Sequence, residues 1–279
     1  MKDELRTGPL QLLPVLGSLM FGVACAYVVW TSIAQGSTSL YQVTPFSGEG
    51  VTSLGNALYF VILVGVGATV LYLLIKRKKM RLISIITGFA LTVAILMLSI
   101  IYLYAVFSLL SVPSTTALIL TLALSASVTV SADFAIFKVQ GQISNVVILL
   151  LGGALGAFLG VFIPVVSAVL ILAFLAVYDI FAVYRGPVGK IAQRGLEELR
   201  GLSFSFRDVQ MGLGDLTFYS MLTGLVLANA GLIFCAASAV GILIGVSLVF
   251  KMLEKRGMFP GLPFPVFLGL LPLIIFLFR

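Results

Sequence analysis

Two aspartates, Asp179 and Asp215, stand inside long apolar runs: Tyr178-Asp179 near the end of one, Gly212-Leu213-Gly214-Asp215 at the start of the next. A charge at membrane depth is expensive and generally has a use. If two carboxylates meet across a water molecule, like-charge repulsion opposes double ionisation and the pair shares one proton. The ionised member can then take a proton from water as it attacks a peptide carbonyl. The protonated member can donate to the carbonyl oxygen, and a later transfer assists departure of the amine. This chemistry needs two acids and water, but no histidine, metal or covalent nucleophile. The same acids could instead carry a cation or proton across a membrane. They could also be structural, each capping a helix, pairing with a basic loop residue or bonding backbone. Asp215 would suit the positive end of a helix, and Gly212 and Gly214 would suit a turn. Asp179 lies near the end of its run, where the helix dipole disfavours it.

The elements that must position these acids are membrane helices. The chain is 61% hydrophobic and 10% charged, against about 25% charged residues in soluble domains. Histidine is absent, which excludes a His-based serine or cysteine triad, a His-containing metal site and a His proton relay. Cys25 and Cys235 both lie in apolar runs and read as buried small residues. A spanning helix needs roughly 20 apolar residues, and such runs fall near 12–34, 54–75, 82–109, 115–137, 143–163, 165–184, 214–234, 236–253 and 263–278. The expected fold class is therefore an all-α polytopic membrane protein with nine transmembrane helices. A cleavable signal is not expected, and the first run reads as the first helix.

Basic residues test the count. Lys2 and Arg6 precede the first run; Lys76 to Lys79 and Arg81 separate the second and third; Lys138 follows the fourth. Arg185, Lys190, Arg194, Arg200 and Arg207 lie between the sixth and seventh, and Lys251, Lys255 and Arg256 follow the eighth. With nine spans, every basic residue except Arg279 falls on one side, which the positive-inside rule makes cytoplasmic, with the C-terminus outside. The net charge of +7 thus reads as topology, and no nucleic-acid partner is expected. Asp179 precedes Arg185 by six residues and lies about 9 Å below that boundary. Asp215 follows Arg207 and enters the membrane from the same face, so consecutive antiparallel helices can bring the two carboxylates to one depth.

Three local patterns add detail. Leu202-Ser203-Phe204-Ser205-Phe206 alternates at period two and reads as a short strand, whose unpaired edges would gain from a partner that a ligand could supply. Gly152, Gly156 and Gly160 recur at four-residue spacing, as do Gly241 and Gly245, giving faces for close helix packing, expected within the monomer. The stretch 35–53 is the main outer connection, either an exposed loop or a re-entrant or amphipathic segment. Pro260-Gly261-Leu262-Pro263-Phe264-Pro265 opens the ninth run on the aspartate side. Prolines lack amide donors and hold the preceding residue extended, so this segment should enter the membrane in non-helical form as a wall of the site.

Tyr178-Asp179, Gly212-Leu213-Gly214-Asp215 and Pro260-Gly261-Leu262-Pro263, in this order and at these helix positions, resemble the signatures of the presenilin and signal-peptide-peptidase family of intramembrane aspartyl proteases. The similarity runs over essentially the whole membrane chain and looks closest to an archaeal homologue. The resemblance implies that Asp179 and Asp215 are the catalytic dyad. Tyr178 would line the adjoining site, and Gly212, Leu213 and Gly214 would surround the second acid. Pro260, Gly261, Leu262 and Pro263 would contact substrate, with glycine at 261 where the family's Pro-Ala-Leu element has alanine. Phe204 and Phe206 would help hold an opened substrate by strand addition. It further implies a transmembrane peptide or single-pass protein as substrate in the lipid bilayer of the cell membrane, with no cofactor, no metal and no auxiliary subunit required. Residues 1–184 and 212–279 would form one membrane domain joined by the cytoplasmic connection 185–211, which lacks the long insertion associated with self-cleavage.

Overall fold

The computed structural model describes residues 9–36, 43–46, 50–139, 141–184, 203–206, 209–256 and 258–278. Nine α-helices lie among them: α1 (Leu13–Ala34), α2 (Val51–Lys76), α3 (Met80–Leu109), α4 (Ser114–Phe134), α5 (Gln142–Phe162), α6 (Val165–Tyr184), α7 (Leu213–Ala230), α8 (Leu232–Arg256) and α9 (Pro263–Leu277). A 3-10 turn precedes α1, and a π turn, Ala135–Val139, continues α4. Two strands, β1 (Ser203–Phe206) and β2 (Val209–Gly212), pair antiparallel just before α7. All of the helices except α7 and α9 are long and apolar enough to cross a membrane.

The exceptions have different physical causes. Helix α9 is short, and the proline-rich entry expected to be non-helical from Pro260 to Pro265 is so only through Leu262: Pro263, Phe264 and Pro265 form the first helical turn, where proline's missing N–H costs no bond. Helix α7 is less apolar than the spanning-length helices and lies largely inside the bundle. Leu213, Leu216, Thr217 and every residue from Tyr219 to Leu227 are buried against neighbouring helices. At the other extreme, α2 buries only Ser53, Asn56 and Ala57, near its first turns. There the Asn56 amide donates to Ser167 Oγ of α6 and to Phe46 O, while its carbonyl accepts Phe46 N–H.

Helices α1, α5 and α7 form the tight centre, and glycine makes this possible. A Cβ placed on Gly156 or Gly160 would overlap the α7 backbone at Thr217 and Met221. One on Gly153 would stand 2.6 Å from Ser18 O of α1, and one on Gly22 would stand 3.0 Å from both Gly153 O and Ser220 Cβ. Lipid tails are as apolar as leucine, so helix association in a bilayer rests on such backbone approach and its dispersion contacts. Gly241 and Gly245 of α8 serve the same end against Leu268 and Pro265 of α9. The glycine faces therefore pack within the monomer.

Three sequence expectations need correction. The division between the last long runs falls at Gly231, not near Ala236. Gly231 takes φ 85° while its N–H still bonds Leu227 O, a helix ending that glycine adopts without a Cβ penalty. The strand is not alone: Ser203 to Phe206 pair with Gly212 to Val209 of the same chain. Leu202, the first residue of the expected strand, lies outside the described residues. Finally, a third carboxylate lies within a helix. Asp133 of α4 accepts a 2.8 Å bond from Thr92 Oγ1 of α3, and its other oxygen is buried without a partner. Thr121, Ser125 and Thr129 continue its face at four-residue intervals and are buried. An apolar cavity of about 450 Å³ lies between α1, α3, α4 and α5, walled by Phe21, Tyr102, Val128 and Leu151 among others. Neither Asp179 nor Asp215 lines it.

Candidate active site

The two acids are brought to the same short stretch of backbone. Asp179 sits near the C-terminal end of α6, with Leu262 N–H donating to its Oδ2 at 2.9 Å. Asp215 occupies the third position of α7, whose N-cap is Gly212. A Cβ added to Gly261 would stand 3.0 Å from Asp215 Oδ2, 3.2 Å from its Cγ and 3.3 Å from its Oδ1. Residues 261 and 262 thus face one carboxylate each. Both side chains are partly buried rather than sealed.

Local structure explains how Asp215 arrives there. Strand β2 runs without a break into α7, and Gly212 is both its last residue and the helix cap, in extended geometry (φ −75°, ψ 146°). Pairing of Ser203 with Gly212 sets where the strand stops, and so where the helix and its acid begin. Asp215 thus stands in the first turn of α7, where the positive end of the helix suits a carboxylate.

The remaining candidates divide. Pro260 and Leu262 are buried, while Gly261 and Pro263 are half-buried. Phe259 and Phe264 stack across the turn with centroids 5.7 Å apart. Tyr178 turns its ring toward α2, where its hydroxyl lies 3.6 Å from the place a Cβ on Gly65 would occupy. Gly214 is exposed, and Gly212 has open space around it apart from Asp215 and Gly214. Leu213 is buried with its Cδ1 against Gly152 of α5, so it anchors α7 in the core. Phe204 and Phe206 lie opposite Met211 and Val209 in the hairpin register, with their side chains outside the described set. One residue escaped the sequence reading altogether. Tyr219, one turn beyond Asp215, donates its hydroxyl to Gly261 O at 2.9 Å. Its spacing of four from Asp215 places it on the same helix face, a signal that was available.

The chain as a whole is similar to two solved structures of a presenilin family intramembrane aspartate protease. One, in a C222 crystal form, aligns with a TM-score of 0.64 at 22% identity over 95% of this chain and 98% of that one. The other, in a P2 form, aligns at 0.64 and 23% identity over 97% and 98%. No protein-family model and no curated protein matches the sequence. The protein is thus a multi-pass membrane protein with the fold of these proteases.

Proposed function

We propose that this chain is an intramembrane aspartyl endopeptidase that hydrolyses peptide bonds within transmembrane helices, with Asp179 and Asp215 as its dyad. The observation that carries the reading is the convergence of both carboxylates on the Gly261-Leu262 backbone. The dyad holds one proton and one water. The ionised carboxylate takes a proton from the water as its oxygen bonds to the scissile carbonyl carbon, and the other carboxyl donates its proton to the carbonyl oxygen. The tetrahedral diol then collapses: the protonated carboxyl gives its proton to the amide nitrogen, the other carboxylate takes one from a diol hydroxyl as the C=O re-forms, the C–N bond breaks, and an acid and an amine leave. The dyad ends with one proton, as it began.

All nine helices span the bilayer, with the N-terminus cytoplasmic and the C-terminus outside, a reading supported by the one-sided basic residues. Residues 1–184 and 212–279 form one membrane domain joined through 185–211. The substrate is a single-pass helix. Its carbonyls must first be released from helical hydrogen bonds, and the outer edge of the β1–β2 hairpin offers replacement partners by strand addition. Gly212, Gly214, Pro260, Gly261, Leu262 and Pro263 shape the space beside the dyad, and Tyr178, Phe204 and Phe206 flank it.

Reconstitution in liposomes with model transmembrane peptides tests the proposal. Two complementary fragments, one with a new C-terminus and the other with the matching new N-terminus, mapped by mass spectrometry, are expected from the wild type and from neither Asp179→Ala nor Asp215→Ala. Aspartate-dependent proton or cation flux without peptide cleavage would reverse the assignment.

A further inference from the structure

Gly261 O and Leu262 N–H belong to one peptide unit. The oxygen accepts the Tyr219 hydroxyl at 2.9 Å, and the N–H donates to Asp179 Oδ2 at 2.9 Å. No peptide bond among the described residues is cis, so the two groups point in opposite directions from a single rigid plane. Tyr219 belongs to α7, the helix of Asp215; Asp179 belongs to α6. The planar group therefore ties the helix of one acid to the carboxylate of the other.

We infer that Tyr219 is a positioning residue for the dyad, acting on Asp179 through the 261–262 peptide. The inference rests on the proteolytic reading. Two physical effects run along the same path. Mechanically, the hydroxyl fixes the rotation of the peptide plane, and the plane fixes the direction from which its N–H meets Asp179. Electrostatically, a donor on the carbonyl polarises the amide and strengthens its own donation, as in other hydrogen-bonded chains. The surroundings keep this arrangement in place. Tyr219 is 1% exposed, so water does not compete for its hydroxyl. Leu262 is buried beside it at the start of α9. Gly261 has no side chain to separate the plane from Asp215, whose carboxylate lies against it. Tyr219 itself touches no reacting atom in this account.

The test is Tyr219→Phe in the full-length reconstituted protein, which deletes one oxygen and keeps the ring. Losing a buried hydrogen bond that orients the acid should lower kcat about 3- to 10-fold, while KM stays within about twofold because no substrate contact is removed. Isotope-edited infrared spectra carry the second readout. With labelled Gly261 carbonyl, its stretch should rise in the variant, and the Asp179 carboxyl band, identified by its loss in Asp179→Asn, should shift with it. Incorporating 3-fluorotyrosine at 219 preserves the fold, strengthens the donor and should move the Asp179 band the opposite way. Wild-type kcat in Tyr219→Phe, with damage only in Tyr219→Leu, would show that the ring merely packs and would overturn the inference. So would a change confined to KM, or an Asp179 band that ignores both variants. A wild type that cleaves no transmembrane peptide would instead overturn the proteolytic reading and this inference with it.

Discussion

Gly261→Ala is a one-carbon test of how closely the Pro260–Pro263 turn is fitted to the dyad. The substitution supplies the alanine of the Pro-Ala-Leu element that the turn resembles, yet the geometry predicts a loss. Gly261 is not among the glycines with positive φ, so alanine brings no backbone strain and only space is at issue. Its Cβ would stand 3.0 Å from Asp215 Oδ2, while ordinary contact begins at 3.4 Å, so the oxygen must retreat by about 0.4 Å (3.4 − 3.0). Because Cγ (3.2 Å) and Oδ1 (3.3 Å) are also close, the whole carboxyl must swing by a small χ1 rotation, at less than the ~0.5–1.5 kcal/mol of a ~30° rotamer distortion. Alanine returns about 0.4–1 kcal/mol by restricting the unfolded chain. Net stability should therefore change by under about 1 kcal/mol. Catalysis is more sensitive. A 1 Å misplacement of a reacting group costs on the order of 100-fold, and scaling the free energy linearly puts 0.4 Å at about sixfold in kcat. The assay is initial-rate cleavage of a reconstituted transmembrane peptide, separating kcat from KM, with thermal unfolding alongside. Gly261→Val, which adds two further methyls at the same place, should lose more. Wild-type kcat in a folded Gly261→Ala protein would refute the reasoning, as would a loss that appears only in KM.

Other expected outcomes follow from the same contacts. Gly156→Ala places a methyl group against the α7 backbone at Thr217 and Met221, where no side chain can rotate away, and should destabilise the protein by about 1–3 kcal/mol or more, read as a lower Tm in detergent. Asn56→Ala removes the amide that joins α2 to α6 through Ser167 and to Phe46. Unpaired buried groups should cost about 1–3 kcal/mol, and hydrogen exchange should rise first at the start of α2. Asp179→Asn and Asp215→Asn each preserve side-chain shape and should abolish cleavage with little change in Tm; retained cleavage in either would remove that residue from the dyad. Proline at Phe204 or Phe206 takes an amide from β1, and cleavage should fall more than Tm does. Equal losses in both measurements would make the hairpin a folding element only.

The readings that survived from the sequence are local and additive ones. Seven spanning-length helices among the described residues were legible because spanning a bilayer demands length and hydropathy, both of which accumulate along the chain. The entry around Pro260 was legible only in part, because proline also suits a first helical turn and Pro263 to Pro265 took that place. Asp179 and Asp215 stood out because acids in apolar runs are rare. Asp133 was overlooked although the same test applied, and the sequence could not reveal that Thr92 of α3 would meet it. The glycine spacings announced close packing without naming a partner. What lay beyond reach depended on the rotation of each helix about its axis and on the path of each connection. Those choices turned Leu213 into the core against Gly152, gave β1 a partner from its own chain, and ended α7 at Gly231. The site shows the difference most clearly. Composition and spacing singled out Asp179 and Asp215 as acids in successive apolar runs. Only tertiary packing, across 83 residues for Asp179 and Leu262 and 42 for Tyr219 and Gly261, decided that a single peptide plane joins Asp179 to Tyr219, because contacts between distant segments follow from how helices fit together and not from any property a residue carries alone.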